Sequence, residues 1–153
     1  QVPIEKVSPM TEKEYYVRGS TALLDAIGKT VMQVKANQDK KEIKDKVLFV
    51  IITDGMENAS REYRADQIKK LIEARKEKNN WEFLFLGANI DAIGAAQNIG
   101  IDSSRAVRFK SDKKGTAKNY EVLNEAIKEI RGGYQLNNSW KNEIEEDVKN
   151  RGE

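Results

Sequence analysis

The chain has 153 residues, enough for one domain with a real core, and its 27 basic and 25 acidic residues leave a net charge of +2, which argues neither for nor against nucleic acid, though dedicated binders usually show a stronger and more clustered basic excess. It contains neither Cys nor His, which excludes disulfides, thiol nucleophiles, ordinary zinc sites and His-assisted catalysis. What is left is oxygen chemistry, with carboxylates, hydroxyls and hard cations such as Mg²⁺ or Ca²⁺. No apolar run reaches membrane-span length and the first residues carry no signal-peptide pattern, so the expectation is a soluble, cytoplasmic protein with no membrane or nucleic-acid partner.

Residues 1 to 18 show no clear period. Val2-Pro3-Ile4 and Val7 fit a short extended piece, and Ser8-Pro9 a turn. Arg18-Gly19-Ser20-Thr21 then introduces a helix in which Leu23, Ile27, Val31 and Val34 share a face, with Ser20 or Thr21 as its N-cap and an end near Lys35. The mixed charges from Lys35 to Lys46 have no period and read as a solvated connection. Val47 to Ile52 is an unbroken apolar run, mostly β-branched or aromatic, the pattern of a strand buried on both faces. Thr53-Asp54-Gly55 follows and puts a carboxylate just past the strand's C-terminal end, the rim where open α/β sheets bind ligands.

A polar loop from Met56 to Tyr63 leads to a second helix, from about Arg64 to Glu77, with Ala65, Ile68, Leu71 and Ile72 inward. Trp81 to Leu86 is a second buried strand, stopped by Gly87. A short helix from about Asp91 to Asn98 has Gly100 to end it, and Ala106 to Phe109 alternates as an edge strand should. Thr116 suits the cap of a last clear helix, with Tyr120, Leu123, Ile127 and Ile130 as its stripe and Gly132-Gly133 as its stop. The final twenty residues hold Trp140, Ile144 and Val148 at helical spacing and fit either a docked helix or a tail. Residues 1–133 are thus one partial α/β domain and 134–153 a C-terminal helix or tail.

The alternation of helices and strands predicts an α/β fold with a doubly wound, mainly parallel sheet and helices on both faces. Three strands make a thin sheet. The run at 47–53 calls for neighbours on both edges, and only 81–86 is apolar enough to supply one. The chain therefore reads as the C-terminal part of a larger sheet, and the free edge predicts self-association.

Gly19-Ser20-Thr21-Ala22-Leu23 opening a helix, followed by a strand ending Ile52-Thr53-Asp54-Gly55, resembles the second and third metal-site loops of von Willebrand factor A domains. The element order is similar to that fold over roughly residues 15 to 131, most like bacterial stand-alone members. The resemblance implies a Rossmann-like, non-catalytic module that binds Mg²⁺, or Mn²⁺ or Ca²⁺, at a metal-ion-dependent adhesion site and thereby holds an acidic side chain of a partner protein. Carried over, Thr21 is the hydroxyl ligand and Asp54 the carboxylate, bound directly or through water. Ser20, Gly55, Glu57, Asn58 and Asn89 are candidates for the surrounding rim. The family's first loop, Asp-x-Ser-x-Ser after the first strand, does not occur in this chain; Asp102-Ser103-Ser104 has the wrong spacing and no apolar strand before it.

Each signal also has a plainer reading. Asp54-Gly55 fits an ordinary strand-exit turn, Thr21 a helix cap, Glu57 and Asn58 a solvated loop, and Asp91 a helix start favoured by the dipole. Two other functions remain open on these residues. One is an Mg²⁺-dependent phosphoryl-transfer enzyme using Asp54, which Met56 (where haloacid-dehalogenase-type phosphatases carry a second Asp) and the lack of a Gly-rich phosphate loop oppose. The other is a metal-free scaffold.

Overall fold

Helical and strand periodicities alternate along the chain, and the computed structural model, which describes residues 2–9, 11, 13, 20–88 and 90–152, follows that alternation. Helix α1 (Leu23–Asp39) precedes β1 (Leu48–Thr53), α2 (Ala65–Asn79), β2 (Glu82–Ala88), α3 (Ala92–Asn98), β3 (Ala106–Phe109), α4 (Lys113–Arg131) and α5 (Asn142–Arg151). The strands form one parallel sheet in the order β1-β2-β3. Register runs from Leu48 opposite Glu82 to Thr53 opposite Gly87, and from Phe85 opposite Ala106 to Ala88 opposite Phe109.

The period-2 alternation of a strand sends successive side chains of β2 to opposite faces, and each face has its own core. Phe83 and Phe85 meet Ile27 and Val31 of α1, Ile68 and Ile72 of α2, and Ala92 and Ala96 of α3. Phe49 of β1 stacks on Phe83 with ring centroids 5.5 Å apart. Leu84, Leu86 and Ala88 face the other way, onto Val122, Leu123 and Ala126 of α4 and Ile144 of α5. Helices thus cover both faces, as the unbroken apolar reading of β2 requires.

The apolar run before Asp54 is not the doubly flanked strand that its composition suggests. Among the described strands β1 has one neighbour, β2; Leu48, Phe49 and Val50 are half-buried and Ile52 is 44% exposed. β2 holds the centre instead, buried from Phe83 to Ala88. The reason is that hydropathy reports what covers a strand's faces, whereas its place in the ladder depends on backbone groups that every residue carries.

Three local expectations are also corrected. Helix α1 runs on to Asp39 because buried Gln38 folds back on Asp45, accepting from its N–H (2.9 Å) and donating to its carboxylate (3.1 Å), while Lys44 Nζ donates to the carbonyls of Gln38 (2.8 Å) and Lys41 (2.6 Å). The solvated connection is therefore shorter than expected, residues 40–46 and exposed throughout, and Lys44 from it caps the helix end. Thr116 does not cap α4: Asp112 does, accepting from Gly115 N–H at 2.8 Å, so the helix begins earlier. The stripe of α4 is rotated as well, with Asn119, Val122, Leu123 and Ala126 buried while Tyr120 is 64% exposed. Helix α3 matches its expected ends, with Asp91 accepting from Gly94 N–H at 3.0 Å and Gly100 at φ 82° closing a Schellman turn through Ile101 N–H to Ala96 O (3.0 Å).

The last residues form a docked helix. Ile144 is buried in the second core, Trp140 Nε1 donates to Ser104 O (2.8 Å), and Lys141 Nζ donates to the carbonyls of Ser103 and Ala106 (2.9 Å each). No described helix is long and apolar enough to cross a membrane. These burials predict that Leu84→Ala lowers the unfolding free energy by about 2–5 kcal/mol, whereas Ile52→Ala at the open edge costs less than about 1 kcal/mol; urea unfolding at low protein concentration measures both.

Candidate functional site

The turn that leaves β1 is closed by its own side chain. The Thr53 hydroxyl donates to Gly55 O (2.9 Å) and accepts from Gly55 N–H (3.4 Å), which leaves the Asp54 carboxylate exposed at the carboxyl end of the sheet. A Cβ added at Gly55 would lie 3.2 Å from Thr21 Oγ1, so a side chain there would push the Thr21 hydroxyl by a few tenths of an ångström. Thr21, Thr53 and Asp54 line one side of a cleft of about 500 Å³, with Ser111, Asn119 and Tyr120 across it. Neither the Asp54 carboxylate nor the Thr21 hydroxyl has a hydrogen-bond or ion-pair partner among the described residues.

The start of α1 is fixed from outside the helix. Its cap position is Ala22, with no side-chain cap, so neither Ser20 nor Thr21 fills that role. Glu57 Oε2 accepts from Leu24 N–H (2.8 Å), and the Ser60 hydroxyl accepts from Asp25 N–H (3.1 Å) while donating to Glu57 (2.7 Å). Glu57 Oε1 also accepts from the N–H groups of Ala59 (2.9 Å) and Ser60 (2.7 Å). In return Asp25 accepts from the backbone of Arg61 (2.9 Å), Glu62 (3.0 Å) and Tyr63 (2.9 Å). Asn58 and Thr21 complete the clasp, Thr21 N–H donating to Asn58 Oδ1 (2.9 Å) and Asn58 N–H to Thr21 O (3.1 Å). A carboxylate at a helix N-terminus satisfies free amides and complements the dipole at once.

The clasp sets the protonation behaviour of both acids. Burial pushes the Glu57 carboxyl up, but the donors from Leu24, Ser60 and Ala59 outweigh it and hold the group below its ordinary range. Asp25 is held low chiefly by Arg61 N–H; desolvation opposes it, and the N–H groups of Tyr63 and Glu62 with the nearby Lys29 charge keep the balance on the low side.

The structure thus brings Thr21 and Asp54 to one cleft, while Gly55 lies behind Thr21 and lines a separate pocket with Glu57. Glu57 and Asn58 are neither a solvated loop nor part of that cleft's wall; they hold α1 in place. Ser20 is exposed and off the cleft wall, and Asn89 lies outside the described residues. Asp25, Ser60 and Asn119 were missed. Asp25 and Ser60 act across more than thirty residues of sequence, which no local pattern signals. Asn119 was hidden by the mis-phased stripe of α4; it is 2% exposed, and its Oδ1 lacks a hydrogen-bond partner among the described residues.

For a metal, the cleft offers a sparse set of hard oxygens. Among the described residues no group of three or more His, Cys, Asp or Glu side chains converges on one point, and Asp54 is the one carboxylate on the cleft wall. One carboxylate with hydroxyls beside it fits a cation that keeps most of its water, as Mg²⁺ does, and does not fit zinc.

The clasp has a pH signature. Asp25 and Glu57 have folded-state pKa values below their ordinary 3.8 and 4.5, so their stabilisation is complete above those values and is lost as pH falls through the folded ones. Urea unfolding across that range should show wild-type stability dropping on acidification, with a shallower drop in Glu57→Gln and Asp25→Asn. No family model, curated protein or solved structure matches the chain.

Proposed function

We propose that the chain is a protein-binding module similar to von Willebrand factor A domains, with that family's doubly wound, Rossmann-like arrangement as its wider fold, and that it is not an enzyme. The observation that carries this reading is the pair formed by the Thr21 hydroxyl and the Asp54 carboxylate. Both line the same rim cleft, with no partner among the described residues, and Gly55 leaves room for the Thr21 hydroxyl against the β1 exit turn. Thr21 and Asp54 would hold a divalent cation, Mg²⁺ first, with water filling the remaining positions. When bound, such a cation supplies an electrophilic centre for the carboxylate of a partner protein. The chain's own part is positional: the Glu57 and Asn58 clasp holds Thr21 in register with the β1 exit turn, and Thr53 holds that turn closed.

The single carboxylate on the cleft wall favours a second reading, a metal-free scaffold, and one titration separates the two. Calorimetry with Mg²⁺ and Mn²⁺ should give saturable binding to the wild type, weakened about tenfold or more, or roughly 1.4 kcal/mol, in Asp54→Ala and in Thr21→Ala. Absence of heat with both ions would favour the scaffold. Gly55→Ala should weaken the metal through the Thr21 contact alone, with little change in unfolding free energy.

A further inference from the structure

The open edge of β1 is self-complementary, and its backbone phase selects one register. Glu82 N–H donates to Val47 O (3.0 Å), so Val47 and the odd-numbered residues after it point their backbone groups at β2. Leu48, Val50 and Ile52 then point theirs outward, because the two backbone directions alternate along a strand. Nothing among the described residues lies along that edge as a strand. A groove of about 380 Å³ borders Leu48 to Val50, and the rim cleft borders Ile52 to Asp54. Strand β1 also lacks the devices that protect edges, since Leu48–Thr53 contains no charge and no Pro.

Charge decides the direction of pairing. Lys46 precedes the strand and Asp54 follows it, both exposed. In an antiparallel pair of identical strands centred on Val50, Leu48 faces Ile52, Val50 faces Val50, and Lys46 faces Asp54 at both ends. This register opposes outward-pointing residues to one another, so each opposed pair can exchange both backbone hydrogen bonds. The even-numbered side chains Leu48 and Val50 belong to the α4 and α5 face, and a twofold axis normal to the sheet keeps them there. Exposed Ile52 then gains an apolar neighbour in Leu48 of the other copy. A parallel pairing would instead bring Lys46 near Lys46 and Asp54 near Asp54, and could not set outward-pointing residues directly opposite one another.

We propose that β1 pairs with β1 of a second copy, antiparallel about Val50, to give a continuous sheet across a twofold dimer closed at each end by Lys46 and Asp54. The weak donation of Lys46 Nζ to Ile130 O (3.3 Å) yields to the carboxylate, a charge-assisted acceptor. The dimer does not depend on the metal reading; the two draw on the same Asp54 carboxylate, so association is measured in chelator.

Sedimentation velocity from low to high micromolar chain, in EDTA, should show a monomer–dimer equilibrium. Lys46→Glu opposes like charges at both ends and should weaken it about tenfold; the swap Lys46→Glu with Asp54→Lys should restore it. Ile52→Lys should abolish it. Amide exchange should show Leu48, Val50 and Ile52 protected at high concentration and open at low. A monomer throughout, a dimer indifferent to Lys46→Glu and Ile52→Lys, or edge amides protected equally at all concentrations would each overturn the proposal. Should a charge variant fail to fold, the wild-type exchange profile decides alone.

Discussion

Every element of this protein answers to the need of β2 to be covered on two faces and paired on two edges. Its alternating Phe83, Leu84, Phe85 and Leu86 send large apolar side chains both ways, and neither set can be left in water without losing about 1.5–3 kcal/mol per side chain. One face takes the three helices that come before β3 in the chain. The other takes α4 and α5, which come after it. The C-terminal helix is the closing piece of the second core, tied down by Trp140 and Lys141 reaching the backbone beside β3.

On that frame, the rim is built by an exchange of carboxylates between α1 and the loop leaving β1. Glu57 caps the helix and Asp25 of the helix caps the loop, so each satisfies backbone amides that would otherwise be free. Gly28 belongs to the same arrangement, since a Cβ there would fall 2.7 Å from the Tyr63 ring that packs against the helix. The exchange has a functional consequence. With Glu57 occupied by backbone amides, Asp54 is left as the exposed carboxylate of the cleft that Thr21 also lines.

Much of this was legible in the residues. The helix and strand succession, the short α3 with its Asp91 start and Gly100 stop, and the edge character of β3 all follow from local propensity and period. The pairing of Gly19-Ser20-Thr21 with Thr53-Asp54-Gly55 directed attention to a rim cleft that Thr21 and Asp54 do line. Where the reading failed, the competing physics was local in appearance but long-range in fact. Ser20 and Thr21 have the chemistry of a cap, yet Glu57 and Ser60 from another loop occupy the helix end. Tyr120 and Ile127 have the hydropathy of a core stripe, yet the helix is rotated so that Asn119 points in.

By itself the sequence determined the helices and strands between about residues 20 and 131, that the sheet is parallel with helices on both faces, and that oxygen ligands are the available chemistry, because these depend on period, composition and the absence of Cys and His. Only the tertiary structure decided that β2 is the buried centre of the sheet, that Glu57 and Asn58 are clasps, and that the final helix docks. Those outcomes rest on which backbone groups find partners, and every residue carries the same backbone groups, so no side-chain pattern can announce them.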